Sequence, residues 1–218
     1  MKYILLIPIY NDRESLKLLI KNINHELKNL NHEISIVVIN DASSHQIIDT
    51  YSDTENINSL EIINMRENRG HARCIASGLK YIFEKKEFDF VIPMDGDGED
   101  RPEEIKNFIK LSEQSGDKSV IGERVKRSEG IIFKLCYQFH KFLTLAFTGH
   151  LIKFGNFTCL SKPTVKKMLN EKATWNSFSG SLKKIEKDLI IMRSVRGKRY
   201  FGPSQMNFFN LLKHSLSI

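Results

Sequence analysis

The sequence predicts an α/β fold in which a mainly parallel sheet is flanked by helices. Apolar runs of strand length alternate with segments whose apolar residues recur at helical spacing. The strands are apolar on both faces, as expected for a sheet that helices cover on both sides. The chain of 218 residues is long enough for one domain with a sizeable core, so we expect a single domain over residues 1–218.

The predicted elements follow one another as strand–helix units along the first half of the chain. The run at residues 34–39 is rich in β-branched residues, which favour strands. From Leu16 onward, apolar residues recur on one face of a helix, and the small residues Ala76 and Gly78 predict close helix packing. Alternation of this kind gives right-handed βαβ units. We predict strands over residues 3–9, 34–39, 60–64 and 88–94, and helices over residues 16–30, 70–83 and 102–111.

Polar residues follow three of these strands at the point where each strand ends. Residues 10–12 (YND) follow the first strand, residues 40–41 (ND) the second, and residues 95–100 (DGDGED) the fourth. In open α/β sheets ligands bind at the carboxyl ends of the strands, so we expect these residues to meet at one edge. Four carboxylates within six residues repel one another unless a counter-charge is present. Oxygen ligands suit a hard cation such as Mg²⁺ or Mn²⁺, which can also hold a diphosphate.

Three other kinds of site or loop carry a similar Asp-x-Asp pattern. An EF-hand needs Gly at loop position 6 and a carboxylate at position 12, where this chain has Asp100 and Lys106. A phosphatase of the haloacid dehalogenase type carries the pattern on its first strand, whereas here it follows the fourth. An acidic loop that caps the helix beginning at Pro102 would also place carboxylates here. The residues alone exclude the EF-hand and leave both the phosphatase site and the capping loop open.

Charge is distributed unevenly between two halves of the chain. Residues 1–117 hold 14 Lys and Arg against 21 Asp and Glu, and residues 118–218 hold 19 against 5. A basic half favours an anionic membrane or phosphorylated ligands, although a solvated basic face has the same composition. Three cysteines lie far apart, which gives no disulfide framework and fits a reducing compartment. We expect the apolar start of the chain to form the first strand and not a signal peptide.

Seven short motifs occur in a specific order along nearly the whole chain. They are IPIYND (residues 7–12), VINDASS (38–44), RENRGHA (66–72), DGDGEDRPE (95–103), GERVKR (122–127), GNF (155–157) and RYFGPS (199–204). In this order they resemble the motifs of the family 2 glycosyltransferases of GT-A fold, and within that family the polyprenyl-phosphate sugar synthases of the dolichol-phosphate mannose synthase type. Each motif is weak alone, and the order of all seven carries the resemblance.

The resemblance implies a role for each matching residue. A UDP- or GDP-linked sugar donor would lie against Pro8, Tyr10, Asp12, Asn40, Asp41, Asn68, Gly70 and Asp95. A divalent cation, Mg²⁺ or Mn²⁺, would be held by Asp95, Asp97 and Glu99. Catalysis would depend on Asp95, Asp97, Arg124 and Arg127. Arg124, Arg127 and Arg199 would hold phosphate groups, of the donor or of the lipid acceptor, and Ser204 is a weaker candidate for the acceptor phosphate.

The sequence departs from the family's pattern at several positions. Asn40 replaces the first Asp of an Asp-Asp pair, Glu99 stands where Gln is common, and Arg101 replaces a Pro. Asn156 stands where some relatives have an Asp proposed as the catalytic base. An amide cannot accept the proton of an acceptor hydroxyl, whereas a phosphate acceptor is already ionised at neutral pH and needs no base. The sequence therefore favours a lipid phosphate as acceptor.

The second half of the chain carries the expected acceptor and membrane contacts. Residues 131–154 are rich in Phe and Leu with interspersed Lys and His, a composition typical of amphipathic helices at a membrane interface and also of core helices with lysines at their edges. We expect residues 1–117 to bind the donor, and residues 118–218 to face a polyprenyl phosphate at the cytoplasmic face of the membrane, through the membrane surface itself or a membrane partner protein. Nucleic acid is not an expected partner, and a homo-oligomer is left open.

Three alternatives to this function remain from the sequence. The first is a soluble transferase of the same fold that acts on a sugar hydroxyl. The second is an inactive protein that binds a nucleotide sugar or a membrane, which the departure at Asn40 and the short C-terminal segment keep open. The third is the phosphatase of the dehalogenase type.

Overall fold

The computed structural model of the protein describes residues 1–45, 51, 53–126 and 154–202. Its strands are β1 (Lys2–Ile9), β2 (Glu33–Asn40), β3 (Ser59–Asn64), β4 (Phe90–Pro93), β5 (Val120–Lys126), β6 (Phe154–Ser161) and β7 (Ile190–Val195). Its helices are α1 (Arg13–Leu27), α2 (His71–Lys85), α3 (Ile105–Ser115), α4 (Lys162–Asn170) and α5 (Phe178–Ile185), with 3₁₀ turns at Pro102–Glu104 and Lys172–Trp175.

The strands form one sheet of seven strands in the order β3-β2-β1-β4-β6-β5-β7. Strand β6 runs antiparallel to its neighbours β4 and β5, and every other pair is parallel. The prediction of a mainly parallel sheet is confirmed. Because the parallel strands point the same way, their carboxyl ends and the amino end of β6 lie along one edge of the sheet.

Helices cover both faces of the sheet, as the apolar strands predict. Alternate residues of β1 point to opposite faces. Leu5 and Ile7 belong to the core formed with α1 and α3, whereas Ile4 and Leu6 belong to the core formed with α2, α4 and α5. Each strand of the centre is therefore buried from both sides, which explains why its sequence shows no alternation of apolar and polar residues.

The predicted elements of the first half are present, with small differences at their ends. The helix expected over residues 102–111 is a 3₁₀ turn followed by α3, which continues to Ser115. The strand expected over residues 88–94 is shorter and ends at Pro93, whose ring nitrogen cannot donate to a strand ladder. None of the helices in the described ranges is both long and apolar enough to cross a membrane.

The second half of the chain extends the same sheet through β5, β6 and β7. Of the segment expected to form interfacial helices, residues 131–153 lie outside the described residues, and Phe154 begins β6. Arg127 and Ser204 also lie outside the described residues. The division into a donor-binding half and an acceptor-facing half stays a prediction.

Helix α2 packs closely onto the sheet at Gly78, as its small residues predict. A Cβ atom at Gly78 would lie 2.3 Å from Leu6 Cδ1 and 2.9 Å from Ile39 Cγ1. Both of these side chains are buried in β1 and β2, so they have little room to move. Gly78 therefore sets the distance between α2 and the sheet.

We predict that Gly78→Ala lowers the free energy of unfolding by about 1–3 kcal/mol, because overpacking outweighs the better helix propensity of Ala. Urea unfolding followed by circular dichroism measures the change. The matched control is Lys80→Ala on the exposed face of the same helix, where the change should stay within about 0.5 kcal/mol. A Gly78→Ala protein as stable as the native one would show that α2 is not held at this distance.

Candidate active site

Loops from most of the strands meet at the carboxyl edge of the sheet, which we call the rim. The loops after β1, β2, β3, β4 and β7 and the start of β6 supply it, with residues 10–12, 40–44, 65–71, 94–101, 196–202 and 154–156. The three polar clusters that follow predicted strands are all on this rim. Their expected meeting point is confirmed by the strand order.

Asn11 ties the loops after β1 and β2 to one another. Its backbone N–H donates to Ser43 Oγ at 2.8 Å, and its Oδ1 accepts from the N–H and the hydroxyl of Ser44 at 2.8 and 3.0 Å. Asn11 has a φ of 51°, in the left-handed region that Asn tolerates better than most residues. Tyr10 is consequently held on the outside of this loop with 45% of its surface exposed, while Pro8 is buried in β1.

Asp41 organises the start of α2. The residue is buried, and its two carboxylate oxygens accept the backbone N–H of Arg69 at 2.8 Å and of Gly70 at 2.9 Å. Gly70 has a φ of +86°, a conformation that side chains disfavour. The predicted donor residues Asp41 and Gly70 are thus in contact, and Asn68 is exposed in the same loop.

The amide of Asn40 joins two strand ends and the loop that follows β2. Its Nδ2 donates to Asn64 Oδ1 at 2.8 Å at the end of β3, and its Oδ1 accepts from the N–H of Ser43 at 3.0 Å. An Asp at this position has no hydrogen to donate to Asn64 when ionised. The departure from the family's Asp-Asp pair therefore has a structural role, because it joins the ends of β2 and β3.

Glycines allow the acidic loop, residues 95–100, to approach its neighbours. A Cβ atom at Gly96 would lie 3.1 Å from the carbonyl oxygen of Pro8, and one at Gly98 would lie 2.5 Å from the ring of Tyr200. Gly98 also has a φ of +87°, which Gly adopts without steric cost. The alternation of Asp and Gly is therefore required by the packing of this loop as well as by its charge.

Asp100 stabilises the acidic loop from its buried side. Its carboxylate is buried, its Oδ2 accepts the N–H of Asp95 at 2.9 Å, and its Oδ1 lies 3.7 Å from Arg124 Nη2. Burial and the neighbouring carboxylate of Asp95 raise the pKa of Asp100 to about 8, against the opposing effect of Arg124. Arg124, a predicted catalytic residue, is thus placed beneath the carboxylates of the acidic loop.

Asp95 faces a histidine, His71, that was not among the predicted site residues. Burial opposes ionisation of Asp95, but His71, whose Nε2 lies 3.3 Å from Asp95 Oδ1, outweighs it and lowers the pKa of Asp95 below its usual range. Although burial works against it, the same interaction raises the pKa of His71. His71 Nε2 also lies 2.7 Å from Asn156 Nδ2. The motif RENRGHA places His71 near the expected donor site, where the sequence favoured a surface or capping role, and nothing in the sequence indicated its contact with Asp95.

A segment that follows β7 lies across the acidic loop, and we call it the strap (residues 196–201). The N–H of Gly197 donates to the carbonyl of Glu99 at 2.8 Å, and the N–H of Tyr200 donates to the carbonyl of Asp97 at 2.9 Å. These two backbone bonds fix the strap directly over the carboxylates. Residues 199 and 200 of the motif RYFGPS are therefore part of the site although they are about a hundred residues away in sequence.

Two arginines of the strap pair with the carboxylates beneath it. Arg199 Nη1 donates to Asp97 Oδ2 at 2.7 Å, and Arg199 Nη2 contacts the carboxylate of Asp12 at the end of β1. Arg196 contacts the carboxylate of Glu99. The motifs predicted Arg199 as a site residue and did not predict Arg196, whose partner is distant in the chain and whose position matches none of them.

The donor atoms suit a divalent cation, although they are not arranged as a complete metal site. Asp95 Oδ1 is buried, and within the described ranges it accepts no aligned hydrogen bond. Asp97 Oδ1 accepts the N–H of Glu99 at 2.9 Å, and its Oδ2 is held by Arg199. The described residues contain no group of three His, Cys, Asp or Glu side chains positioned around a common point. Both carboxylates suit a hard cation, but in this structure Asp95 lies beside His71 and Asp97 is held by Arg199.

Glu104 connects the helix after the acidic loop to the end of β7. Its buried carboxylate accepts the hydroxyl of Ser194 at 2.6 Å and the N–H of Val195 at 2.9 Å. Val195 is the last residue of β7 and directly precedes the strap. Glu104 therefore fixes the point from which the strap leaves the sheet, a role that its sequence position in the first turn of a helix did not reveal.

The fold and the rim define a GT-A domain, and solved structures of that class resemble the chain. The mannosyltransferase PcManGT from Pyrobaculum calidifontis, in complex with GDP-Man and Mn²⁺, is 17% identical, with a TM-score of 0.64 over 93% of this chain and 57% of that one. Glucosyl-3-phosphoglycerate synthase from Mycobacterium tuberculosis, in complex with Mn²⁺, UDP and glucosyl-3-phosphoglycerate, is 12% identical, with a TM-score of 0.63 over 99% of this chain and 76% of that one. At these identities the similarity establishes the fold alone.

Within this class, the chain belongs to glycosyl transferase family 2, whose profile matches residues 4–175. It is 28% identical to the undecaprenyl-phosphate 4-deoxy-4-formamido-L-arabinose transferase of Photorhabdus laumondii. The match covers 97% of this chain and spans 65% of the length of that relative. The family and fold inferred from the seven motifs are confirmed, and the alternative of a dehalogenase-type phosphatase is wrong.

We predict that Glu104→Ala lowers the free energy of unfolding by about 1–3 kcal/mol, because it leaves a buried hydroxyl and a backbone N–H without their acceptor. Glu104→Gln should retain most of the stability, since its amide can accept from Val195 and donate to Ser194. Urea unfolding measures both changes. The matched control is Glu103→Ala at the neighbouring, exposed position. Equal losses for Glu104→Ala and Glu103→Ala would contradict the anchoring role of Glu104.

Proposed function

We propose that the protein transfers a sugar, with inversion, from a UDP- or GDP-linked donor to a polyprenyl phosphate, using Mg²⁺ or Mn²⁺. One observation carries the proposal. Carboxylates at the strand ends pair on one rim with His71 of α2, Arg124 of β5 and the two arginines of the strap. The name of the Photorhabdus relative supports the acceptor class, and the nucleotides and Mn²⁺ of the two structural neighbours support the donor class. The chain spans only 65% of the length of that relative. Its activity, its acceptor and its peripheral contact with the cytoplasmic face of the membrane are therefore all part of the proposal.

The donor is proposed to lie along the loops after β1 and β2. The exposed ring of Tyr10 can stack on the nucleotide base, and Asp12 lies two residues further along the same loop, where it pairs with Arg199. Asp41 keeps free lone pairs on both oxygens after accepting two backbone N–H groups, so it can still accept an N–H from uracil or guanine. The diphosphate would then extend toward the acidic loop.

The acidic loop is proposed to hold the divalent cation through Asp95 and Asp97. Glu99, the third predicted ligand, is paired with Arg196, so its participation requires that pair to open. A bound cation of this kind supplies Lewis-acid stabilisation of the leaving nucleoside diphosphate. Asp100 and Arg124 support the loop and do not need to touch the cation.

Transfer with inversion places the attacking oxygen opposite the leaving diphosphate. An oxygen of the acceptor phosphate bonds to the anomeric carbon as the bond from that carbon to the donor diphosphate breaks, so negative charge moves onto the nucleoside diphosphate. Arg199 can stabilise that charge with a planar set of N–H donors. Arg127 and Ser204 are proposed to hold the acceptor phosphate.

Two residues of the rim bear on the alternatives that the sequence left open. Asn156 bears on the choice between a phosphate and a sugar hydroxyl as acceptor, and Asn40 bears on the alternative of an inactive protein. Asn156 lies on the rim with its amide beside His71, and an amide cannot take a proton from a hydroxyl. An ionised phosphate needs no such proton transfer. The departure at Asn40, one of the grounds for an inactive binding protein, has a structural role of its own.

We predict that UDP or GDP binds only in the presence of Mn²⁺ or Mg²⁺, because the carboxylates of the acidic loop repel a bare diphosphate. Isothermal titration calorimetry with each nucleotide, each metal and EDTA measures this. Asp97→Asn should weaken binding roughly 100-fold or more. Glu87→Gln is the matched control, since the Glu87 side chain is 84% exposed and precedes the opposite end of β4. Binding that is equally tight in EDTA would contradict the proposed cofactor.

We predict that labelled sugar is transferred to undecaprenyl phosphate and not to a free oligosaccharide offered at the same concentration. Thin-layer separation of the lipid and aqueous products measures the partition. Asn156→Ala should keep the rate within about tenfold of native, because its amide is not a base and transfer to an ionised phosphate needs none. Sugar found on the oligosaccharide alone would favour the soluble transferase.

A further inference from the structure

Arg199 occupies a position that is unusual for a residue expected to bind phosphate. Its guanidinium lies between two carboxylates, with Nη1 2.7 Å from Asp97 Oδ2 and Nη2 in contact with Asp12. Its Nε donates to the carbonyl of Phe201 at 2.9 Å. All three nitrogens of the guanidinium therefore face oxygens of the protein. As long as this arrangement persists, the charge of Arg199 is already matched and is not free for a diphosphate.

The backbone of the strap stays in place independently of the Arg199 side chain. The N–H groups of Gly197 and Tyr200 donate to carbonyls of the acidic loop, and Tyr200 Oη accepts from Asn22 Nδ2 of α1 at 2.9 Å. A Cβ atom at Gly98 would collide with the Tyr200 ring, so the ring lies directly on the acidic loop. The long Arg199 side chain can change partners on this fixed base without opening the site.

The carboxylate that Arg199 holds is one that a divalent cation would need. Asp97 has one oxygen engaged by a backbone N–H and the other by Arg199, whereas Asp95 Oδ1 accepts no aligned hydrogen bond within the described ranges. A cation that binds Asp95 and Asp97 together would meet the guanidinium of Arg199 at Asp97 Oδ2. The two cations therefore compete for the same oxygen.

We propose that Arg199 is the resting counter-ion of the metal site. It neutralises Asp12 and Asp97 until a divalent cation takes Asp97, and it then turns to the diphosphate of the donor. This inference rests on the proposed function and adds to it an exchange of partners at Arg199. The exchange makes Arg199 weaken the binding of metal alone and strengthen the binding of nucleotide in the presence of metal.

The test is a titration of Mn²⁺ alone, followed by electron paramagnetic resonance of the free ion, on the full chain and on Arg199→Gln. Losing a charge-assisted hydrogen bond to Asp97 should lower the Kd for Mn²⁺ about tenfold. In saturating Mn²⁺, the Kd for UDP or GDP should rise about tenfold in the same variant. The matched control is Lys198→Gln, which removes the same charge from the exposed neighbouring position of the strap and should change either Kd less than about twofold.

A second variant separates the effect of the position of the strap from the effect of the Arg199 charge. Tyr200→Phe keeps every charge but removes the hydrogen bond to Asn22 that steadies the strap, so Mn²⁺ should bind about threefold more tightly. Weaker or unchanged Mn²⁺ binding in both Arg199→Gln and Tyr200→Phe, in proteins with native circular dichroism, would overturn the inference and leave the proposed function standing. Native protein that binds neither Mn²⁺ nor either nucleotide would overturn the proposed function and the inference together.

Discussion

The rest of the site depends on keeping several carboxylates close together on one rim. Asp12, Asp95, Asp97 and Glu99 come from two strand ends. The strap pairs with Asp12, Asp97 and Glu99, and His71 lies beside Asp95. Like charges at this spacing are stable only if cations or N–H groups face each of them. The fold meets that requirement by three means: buried Asp100 carries a raised pKa, backbone N–H groups cap Asp97 and Asp41, and arginines cover the outer oxygens. The sheet supplies the geometry, since its parallel strands bring their polar ends to the same edge.

The same requirement explains which features could be predicted from the sequence. The strands and helices can be predicted from the periodicity of apolar residues within short segments, and the acidic loop from the six residues DGDGED. The partners of the carboxylates are not encoded locally. Arg199 lies 102 positions from Asp97 and 187 from Asp12, and Ser194 lies 90 positions from Glu104. Motif order revealed Arg199, because the motifs carry information about the fold, but it could not reveal Arg196 or the roles of Glu104 and His71.

Asn40 illustrates why a departure from a family pattern is a weak argument for lost activity. The sequence showed one carboxylate fewer in the expected base pocket. The structure shows an amide that donates to one strand end and accepts from the loop of another, which an ionised carboxylate cannot do. Asp41, beside it, uses both oxygens to shape the turn into α2. These two residues therefore shape the loops at the ends of β2 and β3 and at the start of α2. A change at one of them can alter this local structure without altering the chemistry of the site.

The arginines of the rim already pair with its carboxylates, and this pairing affects the order in which a cation and a donor can bind. An anionic donor without a cation would have to compete with Asp12 and Asp97 for Arg199. Under the proposal, a divalent cation on Asp97 would remove one competitor and free the guanidinium in the same step. Cation and donor would then favour each other's binding, and by linkage the effect of each on the affinity of the other would be equal. Coupling of this kind would leave the rim closed to bare phosphates and open it to a nucleoside diphosphate that arrives with its metal.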